Sequence, residues 1–210
     1  MKKMLALFLL ILFLICCCIT DTTHVTAETT SYPLLVYGGE PEGIISAVAA
    51  ARKGVKTLLL MNREKPGGLM TYGCLNYLDI NHDKFGNSLN EGLFKEWHKK
   101  VGNNITFSVG SATTVFEELI NEPNLTVLNN CQLISTENSN GIITDIIIKR
   151  NNNKKKFKVK RVIDASQNAD LAVKAGAPYF RGGSDIGLPE QTMAVTLVLH
   201  IGNIDKSKLK

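Results

Sequence analysis

The hexapeptide Gly38-Gly39-Glu40-Pro41-Glu42-Gly43 follows a short apolar run, Leu34–Tyr37, and opens an Ala-rich stretch. A tight turn between strand and helix is suited to binding phosphate, because backbone N–H groups at a helix start point outward and the helix dipole favours an anion there. In the Gly-x-Gly-x-x-Gly form of this turn, the first glycine bends the chain, the second admits a pyrophosphate and the third lets helix and strand pack closely. Gly38 and Gly43 fill the first and third places, Glu40 stands in the second, and Gly39 lies between. A carboxylate beside a pyrophosphate opposes an attraction of roughly 0.3–1 kcal/mol at an exposed helix end. Nucleotide affinity is therefore expected to be weakened more than abolished. At the end of the next strand an acidic residue ordinarily accepts hydrogen bonds from the ribose hydroxyls. The count from Gly38 places Met61 there, and a thioether is a poor acceptor. Asn62 is adjacent and Glu64 lies just beyond, so a one-residue shift offers a substitute.

Other chemistries find little support. The sequence has no Ser-His-Asp arrangement, no supported catalytic carboxylate pair and no second Gly-rich turn for NAD(P)H. His24, His82, His98 and His200 are scattered, and no cysteine spacing suggests a metal. His82, in the loop "DINHD", is a candidate base, whereas His98 lies among lysines on an amphipathic stretch and reads as surface. Beyond the leader only Cys74 and Cys131 remain; export permits a disulfide between them, but two idle thiols is the preferred reading. Cys74 has no CxxC partner and no cation near it in sequence to activate it.

The chain has 210 residues, 44% hydrophobic and 20% charged, enough for one ordinary core and too apolar for disorder. Residues 1–27 combine a basic start, the apolar run 4–19 and the small-residue end "VTA", which reads as a secretory signal or, uncleaved, as a membrane tether. The Cys16-Cys17-Cys18 cluster also permits a lipid-attached cysteine. The expected location is extracytoplasmic or membrane-attached. Loss of Lys2, Lys3 and Asp21 with this leader removes two positive charges and one negative, lowering the formal net charge of +5 by one. Much of the excess sits in "NNNKKKFKVKR", which has one aromatic and no second basic segment, so a solvated hairpin is expected and a nucleic-acid partner is not.

The elements that must position these residues follow from periodicity. Leu34–Tyr37 predicts a strand, 42–53 a helix stopped at Gly54, and "VKTLLLM" a strand buried on both faces of a parallel sheet. "NEGLFKEWHKKVG" sets Leu93, Phe94 and Trp97 at helical spacing; Thr114 and Glu117 form a capping-box pattern for a second helix, "VFEELINE", stopped by Pro123. Four extended runs follow, "LTVLN", "CQLIST", "GIITDIIIKR" and "KFKVKRVID", separated by the turn signals "NSNG" and "NNNKK". The last passes into a helix near Asn168, read as its cap, with Asp170 at its positive end. "TMAVTLVLHIGNIDKSKLK" predicts one more strand. The whole is an α/β fold in which a parallel sheet is completed through an antiparallel β-meander. The division is a leader at 1–27, a Rossmann-like unit at 33–177 and the start of a substrate-binding region at 178–210.

Four segments, "VYGGEPEGIISAVAAARKG", "GGLMTYGCLNYLD", "GLFKEWHKKVG" and "VIDASQNADLAVKAGAPY", together resemble the amino-terminal part of FAD-dependent oxidoreductases with a glutathione-reductase-type FAD-binding domain, from Pro33 to Asp205. The resemblance implies FAD as cofactor and transfer of hydride or electrons between a small organic substrate and flavin. It implies that Gly38, Gly39, Glu40, Gly43, Met61 and Asn62 border the nucleotide. Gly67 and Gly68 would bring the backbone close to the cofactor, with Met70, Thr71, Tyr72 and Gly73 toward the flavin. Ala165 and Ser166 match an Asp-Ala-Thr segment that closes over it, with Gln167 where many relatives carry Gly. Missing acid–base residues do not oppose this, since flavin itself carries the electrons.

Resembling enzymes continue beyond "MAVTLVLHIGNID", whereas this sequence stops at Lys210. The expectation is an incomplete domain, with its missing half supplied by a second chain or lost through a broken reading frame. The alternative function is a non-catalytic remnant or interaction subunit that keeps the fold without flavin. "MKK" lacks a twin-arginine signal, so an exported chain would cross unfolded and acquire FAD outside.

Overall fold

The computed structural model describes residues 30–208. The leader, with its apolar run 4–19, lies outside the described residues. Among the described residues no helix is long and apolar enough to cross a membrane.

Strand β1 spans Thr30–Tyr37, beginning before the predicted Leu34. Helix α1, Pro41–Arg52, starts with proline at its first position, where no N–H is needed. It buries Ile44, Ala47, Val48 and Ala51 and closes as the sequence predicts: Gly54 N–H donates to Ala51 O at 2.9 Å and Val55 N–H to Ala50 O at 3.1 Å, a Schellman pair. β2, Thr57–Leu60, is buried at all four positions, as a central strand covered on both faces must be. The short helix α2, Gly68–Thr71, and the longer α3, Gly92–Lys100, and α4, Val109–Leu119, lie between β2 and β3, Leu125–Leu128. β4, Gln132–Ser139, β5, Ile142–Arg150, and β6, Asn153–Asp164, form the meander, and α5, Asp170–Lys174, follows.

All six strands belong to one sheet in the order β3-β2-β1-β6-β5-β4. β1 is parallel to both β2 and β6, and β2 to β3, while β4, β5 and β6 pair antiparallel. The two hairpin turns have positive φ at both central residues, Asn140-Gly141 and Asn151-Asn152, the form that matches strand twist. β6 serves two pairings: Asn153–Lys158 faces β5, and Phe157–Asp164 runs beside β1. One core packs the helices on Val36, Leu59 and Met61 around Trp97, whose ring stacks on Phe116 at 5.2 Å and meets Phe107 edge-on at 5.1 Å. The other joins Leu35, Tyr37, Leu58 and Leu60 to Leu133, Ile146, Ile148, Phe157 and Val159, so the inner face of the meander covers the opposite side of the sheet.

Four expectations need correction. α4 starts earlier than "VFEELINE": Ser108 Oγ accepts from Ser111 N–H, and Thr114 and Glu117 lie inside the helix, so their spacing imitates a capping box without forming one. Asn168 is not a cap, because Ala169 occupies that position with φ 55° and the capping acceptors are Asp164 at the end of β6 and Ser166 just after it. His98 is buried against Phe94, and its Nε2 lies 2.9 Å from Asn104 O, tying the loop beyond α3 to the helix. The stretch predicted as a final strand forms none, pairing with no described strand, and its apolar side chains stand in solvent, Val195 at 98% exposure. A strand needs a neighbour for its N–H and C=O groups, and alternation in sequence does not supply one.

Candidate functional site

β1, β2 and β6 end at one level, and three residues leave the sheet side by side. Gly38 N–H donates to Leu60 O at 2.9 Å, Ala165 N–H donates to Tyr37 O at 2.8 Å, and Met61 N–H donates to Leu128 O at 2.9 Å. β1 is where the connections depart in opposite directions, toward β2 on one side and from β6 on the other. The crevice outside the carboxyl ends of strands at such a point is where α/β sheets bind ligands.

The backbone there is packed too closely for side chains. A Cβ on Gly38 would run into Ala165 O, and one on Gly43 would run into Gly38 O and come within 3.2 Å of Ala165 Cβ. Gly38, Gly43 and Ala165 therefore meet as the sequence pattern requires. Gly39 lies over Met61, whose side chain atoms would be 3.1–3.2 Å from a Cβ there. The start of α1 has no side-chain cap, and Pro41 contributes no N–H. The amides of Glu42 and Gly43 are among the first-turn donors that have no acceptor inside α1, an arrangement that suits an anion.

Glu40 does not lie over these amides. Its carboxylate accepts from Leu69 N–H at 3.0 Å. Gly67 N–H donates to Gly39 O at 2.8 Å, so the second glycine turn rests on the first. Met61 is 2% exposed and belongs to the core, while Asn62 beside it is exposed. Thr71 is buried and its hydroxyl donates to Pro66 O at 2.9 Å, while Met70 packs partly against the helix-side core. The Ser166 hydroxyl donates to Asp164 Oδ1 at 2.6 Å and accepts from Asp170 N–H at 2.7 Å; Asp164 Oδ2 accepts from Ala172 N–H at 2.8 Å. Asp164 and Ser166 thus hold α5 in place, and the Ser166 hydroxyl proton is committed to Asp164.

Spaces open on both sides of the Gly38 turn. On one side two adjoining clefts of about 260 and 270 Å³ share Glu40, Leu69 and Gln167; Arg63, Gly68, Tyr72 and Gly73 also line the first, and Met70, Leu75 and Tyr77 are among those lining the second. The Arg63 guanidinium lies 5.1 Å from the centre of the Tyr72 ring. On the other side a cleft of about 690 Å³ is lined by Tyr37, Gln132, Asn168, Asp170, Lys174 and Arg181, among others. Burial pushes the Tyr37 phenol above its ordinary pKa, and the nearby Asp170 and Asp164 charges add to this. Arg63, Gln132 and Lys174 escaped the sequence reading because no motif marks them; Gln132 and Lys174 reach the site through the sheet's return by the meander.

The histidines among the described residues do not line these clefts. His82 is exposed in a loop bridged to Ser88, and His200 Nε2 lies 3.0 Å from Cys74 O. Cys74 and Cys131 are free thiols, with Cys131 pushed up to about 11 by burial. Among the described residues no cluster of three or more His, Cys, Asp or Glu is placed to hold a metal.

The model of the family described as FAD dependent oxidoreductase matches residues 33–210. No curated protein matches the sequence. Among solved structures, THI4 from Thermovibrio ammonificans is similar at 16% identity and a TM-score of 0.52, over 69% of this chain and 61% of that one. A flavoprotein/dehydrogenase from Cytophaga hutchinsonii is similar at 16% identity and a TM-score of 0.50, over 70% of this chain and 42% of that one. At these identities the likeness is one of fold. The chain spans less than two thirds of either structure.

Proposed function

The chain belongs to the FAD-dependent oxidoreductase family, and from that premise we propose that it binds FAD across the Gly38 turn and takes part in hydride or electron transfer with a small organic substrate. The observation that carries this reading is the contact of Gly38 and Gly43 with Ala165 beside the uncapped start of α1. Bound flavin supplies the redox chemistry. The protein's own residues bind and orient it. The amides of Glu42 and Gly43 face the pyrophosphate, Gly38 and Gly39 let the backbone come close, and Met61 supports Gly39 from below. Asn62, exposed at the end of β2, is the better placed of the two sequence candidates for a ribose hydroxyl.

A dinucleotide centred on that turn sends one half to each side. The adenosine half follows Asn62 to the end of β2, which does not line the 690 Å³ cleft beside Gln132, Asn168 and Asp170. The clefts walled by Leu69, Tyr72, Leu75 and Tyr77 suit a flat ring system, which aromatic and aliphatic surfaces shield from water. The small organic substrate belongs on this second side.

A flavin-free remnant of the same fold is the second reading, favoured by the burial of Met61 where a ribose acceptor was expected. The visible spectrum of the purified full chain separates the two. Flavin absorption approaching one FAD per chain is expected, before or after incubation with FAD; a folded, colourless protein that takes up none gives the remnant reading the better case.

A further inference from the structure

The two glycine turns of the candidate site are joined by one side chain. Gly67 N–H reaches Gly39 O through the backbone, and Leu69 N–H reaches Glu40 Oε2. By position Glu40 is the cap of α1, yet its carboxylate makes no bond to that helix. It serves α2 instead. The residue at the start of α2 is Gly67, which has no side chain to offer, and Glu40 supplies the missing acceptor from 29 residues before Leu69. A Cβ on Gly68 would coincide with the Glu40 carboxylate, so the glycine is required by space as well as by its φ of +44°. Glu40, Gly68 and Leu69 line one cleft together, and the segment beyond, through Leu75 and Tyr77, walls the next.

We propose that Glu40 is a positioning residue: its carboxylate caps α2 from across the cleft and fixes the Gly68–Tyr77 wall against the start of α1. Its consequence for the cofactor rests on the FAD reading above; the cap itself does not. Charge repulsion alone would have removal of this carboxylate tighten FAD. Loss of the cap acts the other way, because the wall loosens, and hydrogen bonds to charged acceptors are among the stronger ones.

The full chain and its Glu40→Gln and Glu40→Ala variants are compared by residue-resolved hydrogen exchange and by FAD titration followed through flavin fluorescence. In Glu40→Ala the Leu69 amide is expected to exchange roughly tenfold faster or more, with faster exchange through to Tyr77 and none of the change in β1 and β2. Glu40→Gln, which keeps an oxygen acceptor, falls between the parent and Glu40→Ala. FAD affinity falls in the same order. Gly68→Ala displaces the carboxylate and reproduces the loss at Leu69, and adding it to Glu40→Ala brings no further loss there. Unchanged exchange at Leu69 in Glu40→Ala overturns the proposal, as does faster exchange accompanied by tighter FAD. If no variant and no parent protein takes up FAD, the flavin reading fails while the exchange across Leu69–Tyr77 still decides the positioning role.

Discussion

Gly38, Gly43 and Ala165 pack as one contact, and each is small because the other two are close. Residue type alone marked the tight packing at Gly38 and Gly43, but not Ala165 as its partner. It did not reveal direction: Met61, Thr71 and Ser166, which the resemblance assigns to the cofactor border, turn their side chains to the core, to Pro66 and to Asp164. The cysteines give a test at this scale. Cys131 is buried and its thiol titrates only at about 11, so its thiolate fraction near pH 8 is about a thousandth. Brief alkylation of the native chain at pH 8, followed by peptide mass spectrometry, should label the half-buried Cys74 and leave Cys131 unmodified until denaturant is added. Equal labelling of the two without denaturant contradicts the described packing.

Helix starts show where local pattern misleads. Thr114 and Glu117 match a capping box, but helix α4 already runs through them, because Ser108 caps it one and a half turns earlier and Gly110 in its first turn disguises the start as a loop. Ser108→Ala should therefore destabilise the chain by about 1 kcal/mol, and Thr114→Ala should cost less, as read by urea unfolding. The reverse order would restore the sequence expectation. α5 itself was legible but its caps were not, since Asp164 ends the preceding strand, Ser166 follows just after it and Ala169 interposes a left-handed residue. By contrast the strand–turn–helix–strand unit and both hairpins were legible, because proline, Gly54 and the Asn turns act within a few residues.

At the scale of the molecule, Arg52 ties three elements that no motif connects. From the last turn of α1 it reaches Glu96 on α3 and Glu122 before β3, each at 2.6 Å. Its hydrogen bond holds the Glu96 carboxyl below its ordinary 4.5. A carboxyl lowered by folding stabilises the native state above its unfolded pKa, and that contribution disappears as pH falls through the folded value. Arg52→Gln should lower stability at pH 7 and flatten the fall between pH 5 and 3, measured by thermal unfolding across pH; both carboxylates are partly exposed, so the effect is small and salt-sensitive. An acid limb unchanged in the variant would assign the sensitivity to other groups.

The double pairing of β6 also has a consequence for the order of assembly. β1 is among the first described segments to be synthesised, but one of its edges waits for Phe157–Asp164, which is made only after both hairpins. Until then the nascent chain can zip β1 to β2 and β3 while its other flank stays bare, and the crevice beside Gly38 does not yet exist. Closing such a distant pairing is slow, and an open strand edge invites wrong partners meanwhile. Cofactor capture is thereby placed after translation of the meander, at the end of folding and not as a seed for it.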